Sequence, residues 1–397
     1  MSKRILSLLL MILTLSMFLL FGCEITGNNR DRKVIVDNTI KIEALIPDNS
    51  TGELIESGIA FANNLANNIY FDEQISIEFS ATKYRNEDNI AEIAQVIEAN
   101  GASAIIYGGD NYSNFKSFTA FVESTNIPVI SLCPFDFESD NFFSLTLTPK
   151  YLSSCGATYA IENSIKNPLV VLEDTSDYYV GFAEIITSTF LSYTGNEPHI
   201  IYSSSLDDYS LYFEHDFIFL SSSESTYAEI ITDLRSHGFT GEIMLSEVFD
   251  KSVVSGDLFN NCSLISKYEK DTSNNVSTVF GTMYSEQHGI ADDNISPAVA
   301  YGYDAYMIAF EALKNFEPKD DLLFGSVNTT EDTASDVTSM DFLLSDYCRV
   351  ISDVNYRGIT DVISFDGNNV NPTCVYVDNV IGDKVFFGKK YTFTSDR

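Results

Sequence analysis

The sequence predicts an α/β protein with two Rossmann-like lobes, each built on a parallel sheet. Short apolar runs alternate with stretches of helical periodicity from Ile40 onward, and the alternation starts again after Thr148. The chain has 397 residues, of which 45% are hydrophobic, so it is long enough to bury more than one core.

The first half contains four predicted strands and two predicted helices. The strands are short apolar runs, and in the second helix apolar residues recur every three or four positions. Asn100 and Gly101 favour a left-handed end to that helix. The predicted strands cover residues 42–47, 75–79, 104–107 and 127–131, and the predicted helices cover about 58–68 and 89–99.

The second half repeats this order of elements. Ser296 followed by Pro297 is typical of a helix start, so a long helix is predicted from Ala298 to about Phe316. The polar stretch 318–339 is predicted to be a solvated loop or an insertion. Further strands are predicted at 169–172, 217–220, 242–246 and within 373–391, and further helices at 179–193 and about 225–237.

The N-terminus predicts export. Lys3 and Arg4 precede an uncharged run of 17 residues, which is typical of a signal peptide over residues 1–22. A membrane-spanning anchor is the alternative, but the run is at the short limit for about 30 Å of hydrocarbon. No basic stop-transfer cluster follows it directly, so the signal peptide is favoured.

The segment Leu20 to Cys23 resembles a bacterial lipobox, although Phe21 stands where a small residue is usual. The resemblance implies that Cys23 is diacylated and becomes the new N-terminus. The polar residues 23–39 then form a tether between the lipid and the folded part. We therefore expect an extracytoplasmic protein that is anchored by lipid to the inner or outer membrane.

The charge balance excludes several partners. The chain has 23 Lys and Arg against 57 Asp and Glu, a formal net charge of −34, so most of its surface would repel nucleic acid or an anionic lipid surface. Its four histidines are spaced unlike any two-histidine ligand pattern, so no zinc site and no cofactor are expected.

The cysteines do not predict a disulfide framework. After removal of the signal peptide and lipidation of Cys23, an odd number remains, and none of them forms a C-x-x-C pair. We interpret these residues mostly as small buried hydrophobic side chains. They are Cys133, Cys155, Cys262, Cys348 and Cys374.

Enzyme motifs are absent from the sequence. It contains no G-x-S-x-G elbow, no G-x-x-x-x-G-K-[ST] loop and no G-x-G-x-x-G turn, and Gly108-Gly109 lacks the third glycine. The sequence therefore predicts a protein that is not an enzyme, with an α/β hydrolase as the disfavoured alternative. A catalytic carboxylate pair stays open, although among 57 acidic residues any given pair is more often solvated surface.

Polar residues follow the predicted strands in both halves. In open parallel sheets, ligands bind at the carboxyl ends of the strands, where loops and helix N-termini point into a crevice. Each such residue alone is usually turn chemistry, but their recurrence in both halves favours a cleft lined from two sides. The segments are 48–50, 108–113, 132–135, 174–178, 221–223 and 246–247.

From about Ile40 to Phe387 the chain resembles the type I periplasmic binding proteins, in the leucine/isoleucine/valine-binding branch that supplies ABC transporters. The Tyr-Asp-Ala helix of that family matches Ala300 to Ala305, and its G-x-x-G-x-x-x-F-D turn matches Gly358 to Asp366. Asp361 replaces the second glycine of the turn.

The resemblance implies two lobes that are joined by a hinge of three crossovers. The first lobe would comprise residues 40–148 and 277–355, and the second would comprise 149–276 and 356–397.

The resemblance also implies the ligand-binding residues. Glu247 would hold a ligand's ammonium group, Tyr178 would stack on or cap the ligand, and Ser223 falls on a neighbouring contact that is often aromatic. In the first lobe, Tyr112 and Ser113 stand in the loop where the family has small hydroxyl residues, and Cys133 lies in the second loop. Asp110 in the first of these loops would disfavour a ligand carboxylate, so either Asp110 points away or the ligand is not a simple α-amino acid.

These inferences predict a solute-binding lipoprotein that captures a small polar ligand, an amino acid or an amide, and delivers it to an ABC permease. The alternative is a lipoprotein scaffold of the same fold that acts through protein contacts.

Overall fold

The computed structural model describes most of the chain beyond residue 38. The predicted signal peptide, Cys23, Asp110 and most of the stretch 318–339 lie outside the described residues. None of the helices within the described part is long and apolar enough to cross a membrane. The described residues are 39–69, 76–109, 111–135, 137–203, 214–247, 254, 256–266, 268–269, 274–291, 295–314, 339–365, 367, 374–382 and 384–392.

The first sheet has five strands in the order β2-β1-β3-β4-β5, and all of its neighbouring strands are parallel. Its central strand β3 is buried along its whole length, as expected for a sheet covered by helices on both faces. The strands are β1 (Thr39–Pro47), β2 (Ser76–Tyr84), β3 (Ala104–Tyr107), β4 (Val129–Ser131) and β5 (Phe142–Ser144).

The second sheet has seven strands in the order β14-β13-β10-β9-β8-β6-β7. The strands from β6 to β10 are parallel, and β13 and β14 add an antiparallel hairpin at one edge. The strands are β6 (Leu169–Leu172), β7 (His199–Tyr202), β8 (Phe217–Ser221), β9 (Glu242–Glu247), β10 (Cys262–Ser266), β13 (Cys374–Ile381) and β14 (Lys384–Thr392). A separate antiparallel pair is formed by β11 (Asn355–Arg357) and β12 (Val362–Ser364).

Nine helices flank the sheets within the described part of the chain. They are α1 (Ser50–Ile69), α2 (Ile90–Ala99), α3 (Tyr112–Val122), α4 (Pro149–Glu162), α5 (Asp177–Thr194), α6 (Glu224–Ser236), α7 (Asn275–His288), α8 (Pro297–Lys314) and α9 (Ser339–Ser352). Apolar residues of α1, α7, α8 and α9 cluster with those of the first sheet on one face, and α2 and α3 cover the other face. Helices α4, α5 and α6 pack on the second sheet.

We call the first sheet with its helices lobe one, and the second sheet with α4, α5 and α6 lobe two. The predicted α/β fold with parallel sheets is thus confirmed. The predicted residue boundaries of the lobes stay predictions.

The core of lobe one depends on the close crossing of α1 and α8. A Cβ atom at Gly58 would lie 2.0 Å from the Val299 carbonyl oxygen, and one at Gly302 would lie 2.3 Å from the Ile55 carbonyl oxygen. Only glycine therefore permits this approach of the two helix backbones. Almost all of α8 is buried, including the Tyr-Asp-Ala segment.

Several predicted boundaries were wrong, for example that of β2, which was predicted at 75–79 and ends at Tyr84. At two helix starts the cause is a side-chain cap. Helix α1 begins at Ser50 rather than near Gly58, because the Asn49 side chain accepts a hydrogen bond of 2.9 Å from the Gly52 N–H. Helix α3 begins at Tyr112, where Asn111 caps it in the same way, so the end of the predicted loop 108–113 is the first helical turn.

Candidate functional site

The carboxyl ends of three lobe-two strands lie side by side. Strands β6, β8 and β9 are parallel neighbours, with Leu172 opposite Ser221 and Leu220 opposite Leu245. The segments that follow them are Glu173–Ser176, Ser222–Ser223 and the chain beyond Glu247. Because these ends share one edge of the sheet, their polar side chains can contact one another or the same ligand.

Glu173 organises this edge. Its Oε2 accepts hydrogen bonds from the Ser223 N–H at 2.7 Å, the Tyr179 hydroxyl at 3.0 Å and the Ser222 hydroxyl at 3.2 Å. Its Oε1 accepts one from the Ser223 hydroxyl at 3.2 Å. Ser223 is the N-cap residue of α6, and its own side chain does not cap that helix. A carboxylate from the neighbouring strand therefore occupies the N-terminus of α6.

Tyr179 supports the same network from α5. Its side chain is buried, and burial, together with the charge of Glu173, raises the pKa of the phenol far above its ordinary value. Tyr179 is therefore a neutral donor to Glu173 at any physiological pH.

On the lobe-one side, the N-terminus of α3 lies against the start of α5. The Asn111 side chain accepts a hydrogen bond of 3.0 Å from the Asn114 N–H, which starts the helix. Tyr112 then lies half-buried in the first turn, and Ser113 is exposed.

The loop after β4 forms the second part of this side. Cys133 is fully buried, and its thiol lies 2.7 Å from the Ser131 hydroxyl, within the core of lobe one. Phe135 is only 4% exposed and packs against Phe115 of α3, with ring centroids 5.1 Å apart. The loop is thus held by its own core contacts.

The two sides meet through three aromatic rings, which we call the cleft cluster: Tyr112, Phe135 and Tyr178. The ring centroid of Tyr178 lies 4.7 Å from that of Phe135 and 5.3 Å from that of Tyr112. The Tyr178 hydroxyl also donates a hydrogen bond of 3.3 Å to the Pro134 carbonyl. Tyr178 packs against the apolar clusters of both lobes, so the lobes are in direct contact at this point.

An exposed ion pair lies beside the cleft cluster. The Lys116 Nζ of α3 is 2.6 Å from the Asp177 Oδ2 of α5. The hydrogen bond and the charge of Lys116 lower the pKa of Asp177, and Asp177 in turn raises the pKa of Lys116. Both groups are therefore charged over the whole neutral range.

The predicted site residues have different positions. Tyr112 and Tyr178 contact each other, Ser223 binds Glu173, Ser113 is exposed and the Cys133 side chain is buried. The backbone of Glu247 ends β9 opposite Ile265, and its side chain lies outside the described part. The roles of all six residues as ligand contacts stay predictions.

Three participants were missed by the sequence reasoning: Glu173, Phe135 as a partner of the two tyrosines, and the Lys116–Asp177 pair. Glu173 had a signal, because it directly follows a fully buried strand, as do the residues that were selected. The ion pair had none, since 61 residues separate its members.

A second network, which we call the hinge contact, joins α8 to the segment between β11 and β12, and the apolar residues of both belong to the core cluster of lobe one. Asp304 is 1% exposed and accepts hydrogen bonds from the Ile359 N–H at 2.9 Å, the Thr360 N–H at 2.8 Å and the Thr360 hydroxyl at 2.6 Å. A Cβ atom at Gly358 would lie 2.5 Å from an Asp304 oxygen, which explains the glycine of the matching turn.

Asp361, the departure from that turn, has a φ of +153°, which side chains rarely adopt. Its carboxylate compensates by accepting hydrogen bonds from the Lys390 ammonium at 2.8 Å and the Cys374 thiol at 2.9 Å. The same carboxylate helps to raise the pKa of Cys374 to about 12, after burial, which is the larger cause.

The five predicted core cysteines are free and buried, which confirms their interpretation as small apolar side chains. Burial also raises the pKa of Cys262 to about 11 and of Cys348 to about 12. Within the described residues, no group of three or more His, Cys, Asp or Glu side chains is placed to hold a metal ion.

No family model matches this chain, and no curated protein matches it. Among solved structures, a leucine-binding protein, LivK, from Thermotoga maritima is 19% identical, with a TM-score of 0.71 over 89% of this chain and 99% of that one. The branched-chain amino acid transporter substrate-binding protein LivJ from Streptococcus pneumoniae, in complex with isoleucine, is 15% identical, with a TM-score of 0.66 over 88% and 99%.

A solute-binding protein of an ABC transporter from Rhodopseudomonas palustris, in complex with 3,4-dihydroxybenzoic acid, is 14% identical, with a TM-score of 0.68 over 91% of this chain and 99% of that one. These three proteins bind different ligands, and at such identities the similarity concerns the fold. The chain has the two-lobe α/β fold of the type I periplasmic binding proteins.

Proposed function

We propose that this protein is an extracytoplasmic solute-binding lipoprotein. It captures a small polar ligand, an amino acid or an amide, between its lobes and presents it to an ABC permease. The observation that carries this proposal is Tyr178, which belongs to lobe two but packs against the apolar clusters of both lobes. Because Tyr178 contacts both lobes, a ligand that moves it would change the contact between the lobes.

The proposed mechanism is hinge closure and requires no chemical step. The hinge contact is buried, whereas the two tyrosines of the cleft cluster are half-buried and the Lys116–Asp177 pair is exposed. Opening of the lobes would separate the rings of the cleft cluster, and a ligand that then enters would bind strand-end groups from both sides as the lobes close. It must contact both lobes, because a ligand with equal affinity for the open and closed states shifts nothing.

A ligand panel tests the proposal. Purified protein without its signal peptide is heated with amino acids, amides, short peptides and aromatic carboxylates, and the melting temperature is measured. A ligand at 100 times its Kd stabilises the folded state by about 2.7 kcal/mol, which is a readily measured shift. Aromatic carboxylates are included because one structural neighbour holds 3,4-dihydroxybenzoic acid.

The predicted ammonium contact has a separate test. If an amine ligand is found, replacing Glu247 with Gln should weaken its binding at least tenfold, or about 1.4 kcal/mol, because a charge-assisted hydrogen bond is lost. Glu229→Gln on the exposed surface of α6 is the matched control. A smaller loss would contradict the role of Glu247 and leave the rest of the proposal standing.

The lipid anchor is tested by Cys23→Ser. The unchanged chain should carry fatty acid and sediment with membranes, whereas the variant should do neither. Soluble, unacylated wild-type protein would contradict the anchor.

One observation favours a second function, a scaffold that acts through protein contacts. The cleft cluster joins the lobes directly, so closure does not require a ligand as a bridge. A flat thermal response to the whole panel, together with retention of a specific envelope protein on the immobilised chain, would favour this alternative.

A further inference from the structure

Glu173 of the segment after β6 binds the N-terminus of α6. Strands β6 and β8 end side by side, and the segment after β8 leads straight into α6. The N-terminus of a helix carries partial positive charge and N–H groups without a helical partner, so it attracts anions. Here Glu173 receives both the Ser223 N–H and the Ser223 hydroxyl.

Glu173 lies close to the cleft cluster. Tyr179 donates a hydrogen bond to Glu173, and its ring packs against that of the preceding residue, Tyr178, with centroids 4.9 Å apart. Tyr178 in turn contacts lobe one. The Glu173 carboxylate is therefore connected to the cleft cluster through a single residue, Tyr179, on the lobe-two side.

The neighbouring charges have the same sign. Asp174 is exposed directly after Glu173, and Asp177 is exposed at the start of α5. Lys116 of α3 is bound to Asp177. A second negative group arriving at this edge would meet the negative charges of Glu173 and Asp174.

We infer that Glu173 is a specificity-determining residue that acts as an internal anion, so that the cleft accepts cationic or neutral polar groups on its lobe-two side and rejects carboxylates there. The inference rests on the proposed function and narrows its ligand class. An amide such as glutamine should bind better than the acid of the same shape, glutamate, if the ligand side chain points to lobe two.

The test replaces Glu173 with Ala and uses acetate as the probe. The variant leaves the α6 N-terminus without its carboxylate, so sodium acetate should raise the melting temperature of Glu173→Ala beyond the effect of sodium chloride at equal ionic strength. Wild type should respond equally to the two salts. If the variant refolds poorly, the soluble yield after refolding in acetate and in chloride gives the same comparison.

Glu162→Ala is the matched control, because Glu162 is a lobe-two carboxylate that binds Lys389 and Tyr391 away from the cleft. It should show no acetate-specific gain. A gain equal to that of Glu173→Ala, or no gain in either variant, would overturn the inference.

A second arm measures binding of glutamine and glutamate to wild type and to Glu173→Gln, which keeps the size of the side chain but not its charge. The ratio of glutamate to glutamine affinity should rise at least tenfold in the variant. Binding with an unchanged ratio would overturn the charge selection alone. If neither protein binds any member of the ligand panel while acetate still rescues Glu173→Ala, the proposed function fails and the role of Glu173 as an internal anion stands.

Discussion

The hinge contact and the cleft cluster both join distant segments, but they differ in burial and in chemistry. At the hinge, a carboxylate that is 1% exposed receives two backbone N–H groups and a hydroxyl. At the cleft, half-buried tyrosine rings meet a phenylalanine, and the nearby ion pair is exposed. Breaking the first leaves buried donors without an acceptor, whereas breaking the second returns polar atoms to water.

The two contacts differ in the free energy that is needed to break them. An unsatisfied buried donor costs about 1–3 kcal/mol, so opening the hinge contact should be costly. Aromatic pairs contribute about 0.5–1.5 kcal/mol beyond the area they bury, an amount that a ligand can replace. The molecule thus has a buried contact within lobe one and a less buried seam between the lobes, and the proposed hinge closure needs only the seam to open.

The largest expected effect is at the hinge contact. Asp304→Ala should lower the free energy of unfolding by about 3–5 kcal/mol, because three donors lose their acceptor in a buried site. Urea denaturation measures this loss. Asp353→Ala is the control, since the Asp353 side chain is 70% exposed in a surface ion pair, and it should cost less than about 1 kcal/mol. Equal losses in both variants would refute the high cost of opening the hinge contact.

The next effect concerns the crossing of α1 and α8. Gly58→Ala should cost about 1–3 kcal/mol, because its Cβ would overlap the Val299 carbonyl oxygen at 2.0 Å. Gly181→Ala on α5 is the opposite case: a Cβ there meets nothing within 4 Å, so alanine should stabilise the helix by about 0.5–1 kcal/mol. Urea midpoints that shift in the same direction for both would contradict this account.

A substitution in the cleft cluster should change the overall dimensions of the protein more than its stability. Tyr178→Ala removes the two ring contacts and the hydrogen bond that Tyr178 makes with lobe one, as well as its ring contacts with Tyr179 and Phe182. It should cost about 1–2 kcal/mol and let the lobes separate. Small-angle X-ray scattering should record a larger radius of gyration. Tyr193→Ala, on the same helix and 47% exposed, should leave it unchanged. An unaltered radius in Tyr178→Ala would mean that other contacts hold the lobes together.

The sequence predicts local features of these two regions better than contacts between residues that are far apart in the chain. The bounds of β3 and β6 were predicted correctly, because both strands are short, fully buried and flanked by turn residues. The glycine of the hinge turn was identified by its motif, and the structure adds the reason, the Asp304 carboxylate beside Gly358.

The cleft was predicted less completely. Strand ends can be located from local patterns, so Tyr112 and Tyr178 were chosen and do meet. The binding of Ser223 by Glu173 joins residues 50 positions apart, and no periodicity encodes it. Cys133 was chosen by loop position, yet the Ser131 hydroxyl and the core around it hold the thiol inside lobe one. Local patterns do not determine which way a loop side chain turns, because packing with other segments decides it.

The smallest expected effect is that of the exposed pair beside the seam. Asp177→Asn should lower the melting temperature slightly at neutral pH, whereas Glu229→Gln, which changes the same charge on an exposed part of α6, should not. Because the pKa of Asp177 is lowered in the folded state, its contribution is present above the ordinary carboxyl value of about 3.9 and is lost as the pH falls below it. The raised pKa of Lys116 keeps the pair intact up to about pH 10. The difference between wild type and Asp177→Asn should therefore be constant from about pH 5 to 9 and vanish in acid or in about 1 M salt. A difference that survives high salt would show that Asp177 stabilises the seam by a route other than its charge.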